Sequence, residues 1–222
     1  MGNCIHGRIV RSSGEKVPLE NRSKLYYCRE IFFNIMFAVV YTFFTVSFIS
    51  DFLEHHRMSS LMIVLIEGML ALLYLGRRFP TQVSVSPYAW LVAGWGTWGI
   101  LLIRPAGSAD LLVGQCFLIV GLFLQVYALA SLNRSLGIVP ANRGIQTKGF
   151  YRWIRHPLYT TYFVTFTGML INHFSTWNLA IALLMVACQL SRINCEERLL
   201  CEDPKYREYM SATRWRLIPF VY

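Results

Sequence analysis

The chain has 222 residues, of which 55% are hydrophobic and only 15% charged, with a formal net charge of +9. This balance excludes an ordinary soluble domain. The first 30 residues are polar and offer no small-residue cleavage site after a hydrophobic run, so no cleavable signal peptide is expected.

Apolar runs at 31–50, 59–76, 87–103, 111–132, 157–171 and 176–190 approach the roughly 20 residues needed to cross a bilayer. The sequence therefore predicts an all-α, multi-pass membrane bundle of about five or six transmembrane segments. With a cytosolic N-terminus and alternating segments, 19 of the 21 Lys and Arg lie in the cytosol, leaving Arg57 and Arg104 outside. That asymmetry places both termini in the cytosol. It assigns the basic charge to topology and lipid headgroups, so the bilayer is an expected partner and nucleic acid is not. Of the six cysteines, four are then cytosolic and two lie within apolar segments. Reduced thiols are expected, and without C-x-x-C spacing no metal site is expected.

Residues 1–30 form an expected cytosolic arm, and 31–222 a single membrane domain. The start Met1-Gly2-Asn3-Cys4 hints at acylation, but His6 stands where the acceptor pattern wants Ser or Thr. The first segment ends in Asp51-Phe52-Leu53-Glu54-His55-His56-Arg57. Adjacent histidines do not share a helix face, which favours a solvated outer loop over a metal site. Glu67 lies in mid-segment, where an ionisable group is either functional or hydrogen-bonded to a neighbouring helix, and the sequence leaves both open. The third segment contains Gly94-Trp95-Gly96-Thr97-Trp98-Gly99, a formal dinucleotide fingerprint. That motif needs a preceding strand; in an apolar run its small residues serve close helix packing instead. The turn at 104–110 should make segments three and four antiparallel neighbours. Segments five and six are joined by Asn172-His173-Phe174-Ser175 and read as a short helical hairpin.

Two polar clusters flank that hairpin. The first is Gly149-Phe150-Tyr151-Arg152-Trp153-Ile154-Arg155-His156-Pro157-Leu158-Tyr159. A residue before proline is pushed out of the helical region and proline suits the first helical position, so a helix is expected to begin at Pro157. Its free amides, with Arg155 beside them, suit a carboxylate or phosphate. The second cluster is Ser191-Arg192-Ile193-Asn194-Cys195-Glu196-Glu197-Arg198, with Arg192 and Glu196 on one helix face. The hairpin should bring the clusters together, and a zwitterion would fit between them. Downstream, Asp203-Pro204 starts a short helix. The tail after it alternates Arg214, Trp215, Arg216 and Leu217, which suits the headgroup region and could roof a cytosolic site.

These residues carry a resemblance. The Arg155-His156-Pro157-Leu158-Tyr159 element, Arg192 with Glu196-Glu197, and the later Tyr-Arg-Glu-Tyr and Arg-Leu-Ile-Pro resemble the isoprenylcysteine carboxyl methyltransferase family over roughly 132–220. That family is a class of integral-membrane, S-adenosylmethionine-dependent enzymes related to the phospholipid methyltransferases. The resemblance implies S-adenosyl-L-methionine as cofactor, held by Arg143, Gly144, Ile145, Gln146, Tyr151, Arg155, His156, Pro157, Leu158, Tyr159, Glu196 and Glu197. It implies Arg192 as the residue that binds the acceptor and carries catalysis by orienting it. The expected acceptor is lipophilic, a carboxylate or thiol of an isoprenylcysteine-like molecule. The expected location is a bacterial inner membrane, or endoplasmic reticulum in a eukaryote. The chain departs from the family at Thr160-Thr161, where a glycine often follows the tyrosine, and at Arg143, where eukaryotic members have histidine. The alternatives are a sterol-reductase-like enzyme using NADPH, whose cofactor would want more cations than this loop has, and a non-catalytic membrane binding or scaffold protein.

Overall fold

The computed structural model describes residues 24–56, 58–103 and 111–221. The acylation pattern at 1–6, most of the N-terminal arm, Arg57 and the turn at 104–110 lie outside the described residues, as do the side chains of Asp51, His55 and Glu67.

The described chain is almost wholly helical: α1 (Lys24–His55), α2 (Met58–Gly76), α3 (Pro87–Trp98), α4 (Leu112–Leu132), α5 (Pro157–Asn172), α6 (Thr176–Leu200) and α7 (Pro204–Ala212). The exception is a two-residue antiparallel ladder between β1 (Gln82–Val83) and β2 (Ala141–Asn142). Local chemistry sets the helix starts. Ser86, Ser175 and Asp203 each accept a backbone N–H of the first turn, and Pro87, Pro157 and Pro204 follow the starts where no N–H is needed.

Two described stretches are long and apolar enough to cross a membrane: 112–135, with mean hydropathy 2.0, and α6, with mean hydropathy 1.4. Their outward faces are apolar, with Leu112, Val113 and Phe123 on α4 and Leu183 and Leu184 on α6 exposed. Two of the other predicted segments form helices shorter than the roughly 20 residues of a span: α3 has only 12 residues before tightening into a 3-10 turn at Gly99–Leu102, and α5 has 16. α6, by contrast, runs ten residues past the end of its apolar run. Its polar stretch from Ser191 finds partners inside the molecule and contains no helix breaker.

The pairing of helices differs from expectation in two ways. α3 packs along α6 rather than α4, and α5 packs along α4 far more than along α6. Glycines set both pairings. A methyl group on Gly168 would sit 2.8 Å from the carbonyl of Gly114 and from Phe117, and one on Gly96 would meet Arg192 and Gln189 at 3.1 and 3.2 Å. Gly96 and Gly99, in the stretch that mimics a dinucleotide fingerprint, thus let α6 approach α3. α5 and α6 meet at the ends far from their loop, where Tyr159 reaches Glu196 and packs on Ile193, so the two clusters come together there. A core of Tyr74, Ala93, Leu122, Ala128, Leu129, Leu136, Ile138 and Leu158 ties α2 to α5 beneath that meeting point.

Candidate active site

α5 starts at Pro157 with His156 in a non-helical conformation (φ −127°, ψ 57°), outside the α region that proline disfavours in the residue before it. The backbone N–H groups of Arg155 and His156 donate to the carbonyls of Trp215 and Arg216 at 2.8 and 2.9 Å. The C-terminal segment therefore lies across the start of α5. The Thr160 hydroxyl adds a 2.8 Å hydrogen bond to the carbonyl of Leu217. The threonine that stands where the family often has glycine thus helps to hold the tail.

α6 brings its two glutamates to this point with different roles. Glu197 is buried, and its Oε1 accepts from Arg155 Nε at 2.9 Å and meets His156 Nε2 at 3.1 Å. Its Oε2 pairs with Arg216 at 2.6 Å. Arg155 further donates to the carbonyls of Thr213 and Arg214. The donors that the sequence suggested for an external carboxylate are thus engaged within the chain. Glu196 keeps a 20% exposed side chain. Its Oε1 accepts from the Tyr159 hydroxyl at 2.5 Å, and its Oε2 has His156 Nδ1 at 3.9 Å.

Arg192, one turn earlier, forms no ion pair with Glu196 among the described residues. Its guanidinium is buried and donates to neutral acceptors only: the Ile138 carbonyl at 2.8 Å, Gln189 at 3.0 Å and the Thr97 hydroxyl at 3.4 Å. Its Nε has no hydrogen-bond partner among the described residues. The group sits 5.3 Å over the ring of Tyr159. Tyr159 therefore touches a cation through its face and a carboxylate through its hydroxyl. No spacing rule in the sequence pointed to this bridge, because it joins two helices 37 residues apart.

The remaining predicted residues fall into two groups. Pro157 and Leu158 are buried in the first turn of α5. The stretch Arg143-Gly144-Ile145-Gln146 leaves β2 through a turn in which Asn142 accepts the Gly144 N–H at 3.0 Å, with Gly144 at φ +98°, a conformation suited to glycine. Arg143 is buried and bonds the carbonyl of Arg78, while Gln146 donates to Ser135. Arg143 Nε lies beside Gly137, next to Ile138, whose carbonyl accepts from Arg192, which places the loop's cation on the Arg192 side. Ile145 faces the other way, against an aromatic cluster of Tyr151, Tyr206 and Tyr209. Burial drives all three hydroxyls well above the ordinary tyrosine range. Sequence reasoning placed Arg216 in a tail over the site, on the signal of its alternating arginines, but missed Tyr206, Tyr209 and Thr160 as parts of this region.

Among the described residues, no three metal-ligating side chains gather. No curated protein matches this chain. Residues 111–202 match the model of the isoprenylcysteine carboxyl methyltransferase family, a span that contains α4, the loop, α5, α6 and both polar clusters. That stretch of the chain is thus similar to the isoprenylcysteine carboxyl methyltransferase family.

Proposed function

We propose that this chain is a membrane-embedded methyltransferase that moves the methyl group of S-adenosyl-L-methionine to an anionic, lipophilic acceptor. The observation that carries the reading is Tyr159, held between the Arg192 guanidinium and the Glu196 carboxylate. The residues present fit the cofactor. It carries an ammonium and a sulfonium, and Glu196 offers an oxygen whose nearest polar partner is 3.9 Å away. It carries an aromatic base, and Tyr151, Tyr206 and Tyr209 form an aromatic cluster beside the loop at 143–146. When bound, the cofactor supplies an electrophilic methyl group on a positively charged sulfur.

Methyl transfer is a displacement in which positioning provides much of the rate, so the chain's own task is to hold two molecules in line. Glu196 and His156, with the loop Arg143 to Gln146 and the run from Tyr151 to Tyr159, form the cofactor side. Arg192 is the acceptor side. A buried guanidinium held by neutral groups has donor capacity left for a carboxylate or thiolate, with Nε the free donor. The same cation would repel a protonated amine, which favours an isoprenylcysteine-like carboxylate over a phospholipid amine. Such a nucleophile needs no general base, and none is required of these residues. Arg192 sits on α6 beside α3, and both helices expose apolar residues such as Trp90, Leu91 and Leu183, which suits an acceptor that arrives from the lipid.

The test is to incubate membranes containing the protein with methyl-labelled adenosylmethionine and a set of acceptors: a prenylated cysteine, a phospholipid amine and a small thiol. The reading predicts label in a base-labile ester of the prenylated cysteine, or on the thiol. Label on the phospholipid amine alone would contradict the anionic assignment.

A further inference from the structure

Glu197 is placed differently from its neighbour Glu196, and the difference points to a separate task. Its carboxylate is buried and meets three basic side chains from two places in the chain: Arg155 and His156 before α5, and Arg216 in the C-terminal segment. A carboxylate in that company only accepts hydrogen bonds, so His156 Nε2 must carry the proton it shares with Glu197. The imidazole is thereby fixed with its other nitrogen, Nδ1, turned to Glu196. The same carboxylate anchors Arg216, whose backbone carbonyl accepts from His156. The C-terminal segment is held over the start of α5 by this ion pair, the two backbone bonds, the Arg155 side chain on the carbonyls of Thr213 and Arg214, and Thr160 on Leu217.

We propose that Glu197 is a positioning residue, which sets the ring of His156 toward Glu196 and ties the segment 213–217 across the site, while Glu196 alone of the pair faces a ligand. The inference rests on the site assigned above, but its consequences are visible without cofactor. A carboxylate in contact with a ligand would leave the apo protein's tail and imidazole indifferent to its removal; a positioning carboxylate would not.

The experiment uses the full-length protein in detergent or nanodiscs, without cofactor. Two variants are made, Glu197→Gln and Arg216→Ala, with Arg216→Lys as the conservative rescue. Hydrogen exchange is read at the amides of Arg155 and His156, which the tail carbonyls protect. Arg216→Ala should speed that exchange by about tenfold while α4 is unchanged, and Arg216→Lys should restore most of the protection. The ring nitrogens of His156 are followed by nitrogen-15 signals, assigned with a His156→Gln variant. Glu197→Gln should move them from the fixed form with a protonated Nε2 toward an average of tautomers. Unchanged exchange in Arg216→Ala, or an unchanged His156 signal in Glu197→Gln, would overturn the proposal. Arg216→Ala leaves Glu197 bound to Arg155 and His156, so it remains informative even if the glutamate variant does not fold. Because neither readout involves adenosylmethionine, the methyltransferase reading can fail while this one stands.

Discussion

Arg192 and Glu196 lie four residues apart on one helix face, yet they do not pair. Each is claimed by Tyr159 and by groups on other elements. Their separation gives distinct expectations. Glu196→Ala removes a charged hydrogen-bond acceptor, an interaction worth about 1.5–3 kcal/mol, so cofactor affinity should fall roughly tenfold to a hundredfold. His156→Ala should act in the same direction. Arg192→Ala should leave cofactor affinity within a few-fold and raise the acceptor KM or lower kcat, as steady-state kinetics with varied acceptor will show. Tyr206 makes a prediction of the opposite sign. Its hydroxyl is buried without a partner among the described residues, so Tyr206→Phe should not lower the unfolding midpoint at pH 7 and should raise it if the hydroxyl has no ligand. Tyr206 and its neighbours Tyr151 and Tyr209 also make a pH prediction. Their folded pKa values lie above the unfolded value of about 10, so their contribution is complete below pH 10 and is lost as pH rises above it. The thermal midpoint should therefore fall on the alkaline side of pH 10, and more gently in Tyr206→Phe.

At the scale of elements, close helix approach decides the packing. On α5, Gly168 faces the backbone of α4, so Gly168→Ala should destabilise by about 1–3 kcal/mol through overpacking. Gly68 on α2 meets nothing within 4 Å, and Gly68→Ala should be neutral or stabilising by up to about 1 kcal/mol. Melting both variants in the same detergent checks the contrast. Hydropathy and cap chemistry made the helices readable in sequence: α2, α4 and α5 begin and end within a residue or so of their apolar runs, and Pro157 starts α5 as its ring demands. Which helices are neighbours was not readable. A short turn suggests that consecutive segments pack together, but Gly96 and Gly99 bring α6 onto α3, and Gly114, Gly121 and Gly168 bring α5 onto α4. Glycine spacing showed that something approaches closely without showing what. The apolar run of α6 stops at Leu190, but the helical spacing of Arg192 and Glu196 already extended the helix beyond it, and buried partners carry it on through Arg192 and Glu197.

For the whole molecule, the candidate site was legible as two clusters of polar residues in an apolar chain, since such residues are costly there without partners. Their internal division of labour was not. Nothing in the spacing tells Glu196 from Glu197, and only the three-dimensional arrangement shows one carboxylate enclosed by Arg155, His156 and Arg216 and the other left with an open oxygen. The tail beyond α7 completes the region by lying over the start of α5, so the site is built from α5, α6 and the C-terminal segment together. Removing residues 213–222 should therefore abolish activity even though the family match ends at residue 202. The central claim is that this arrangement holds adenosylmethionine. Titration calorimetry on the purified, folded protein tests it most directly. The account predicts saturable binding of adenosylmethionine and adenosylhomocysteine, weakened in Glu196→Ala, and none of NADPH. Folded protein that takes up neither methyl-donor ligand, or that takes up NADPH instead, would contradict it.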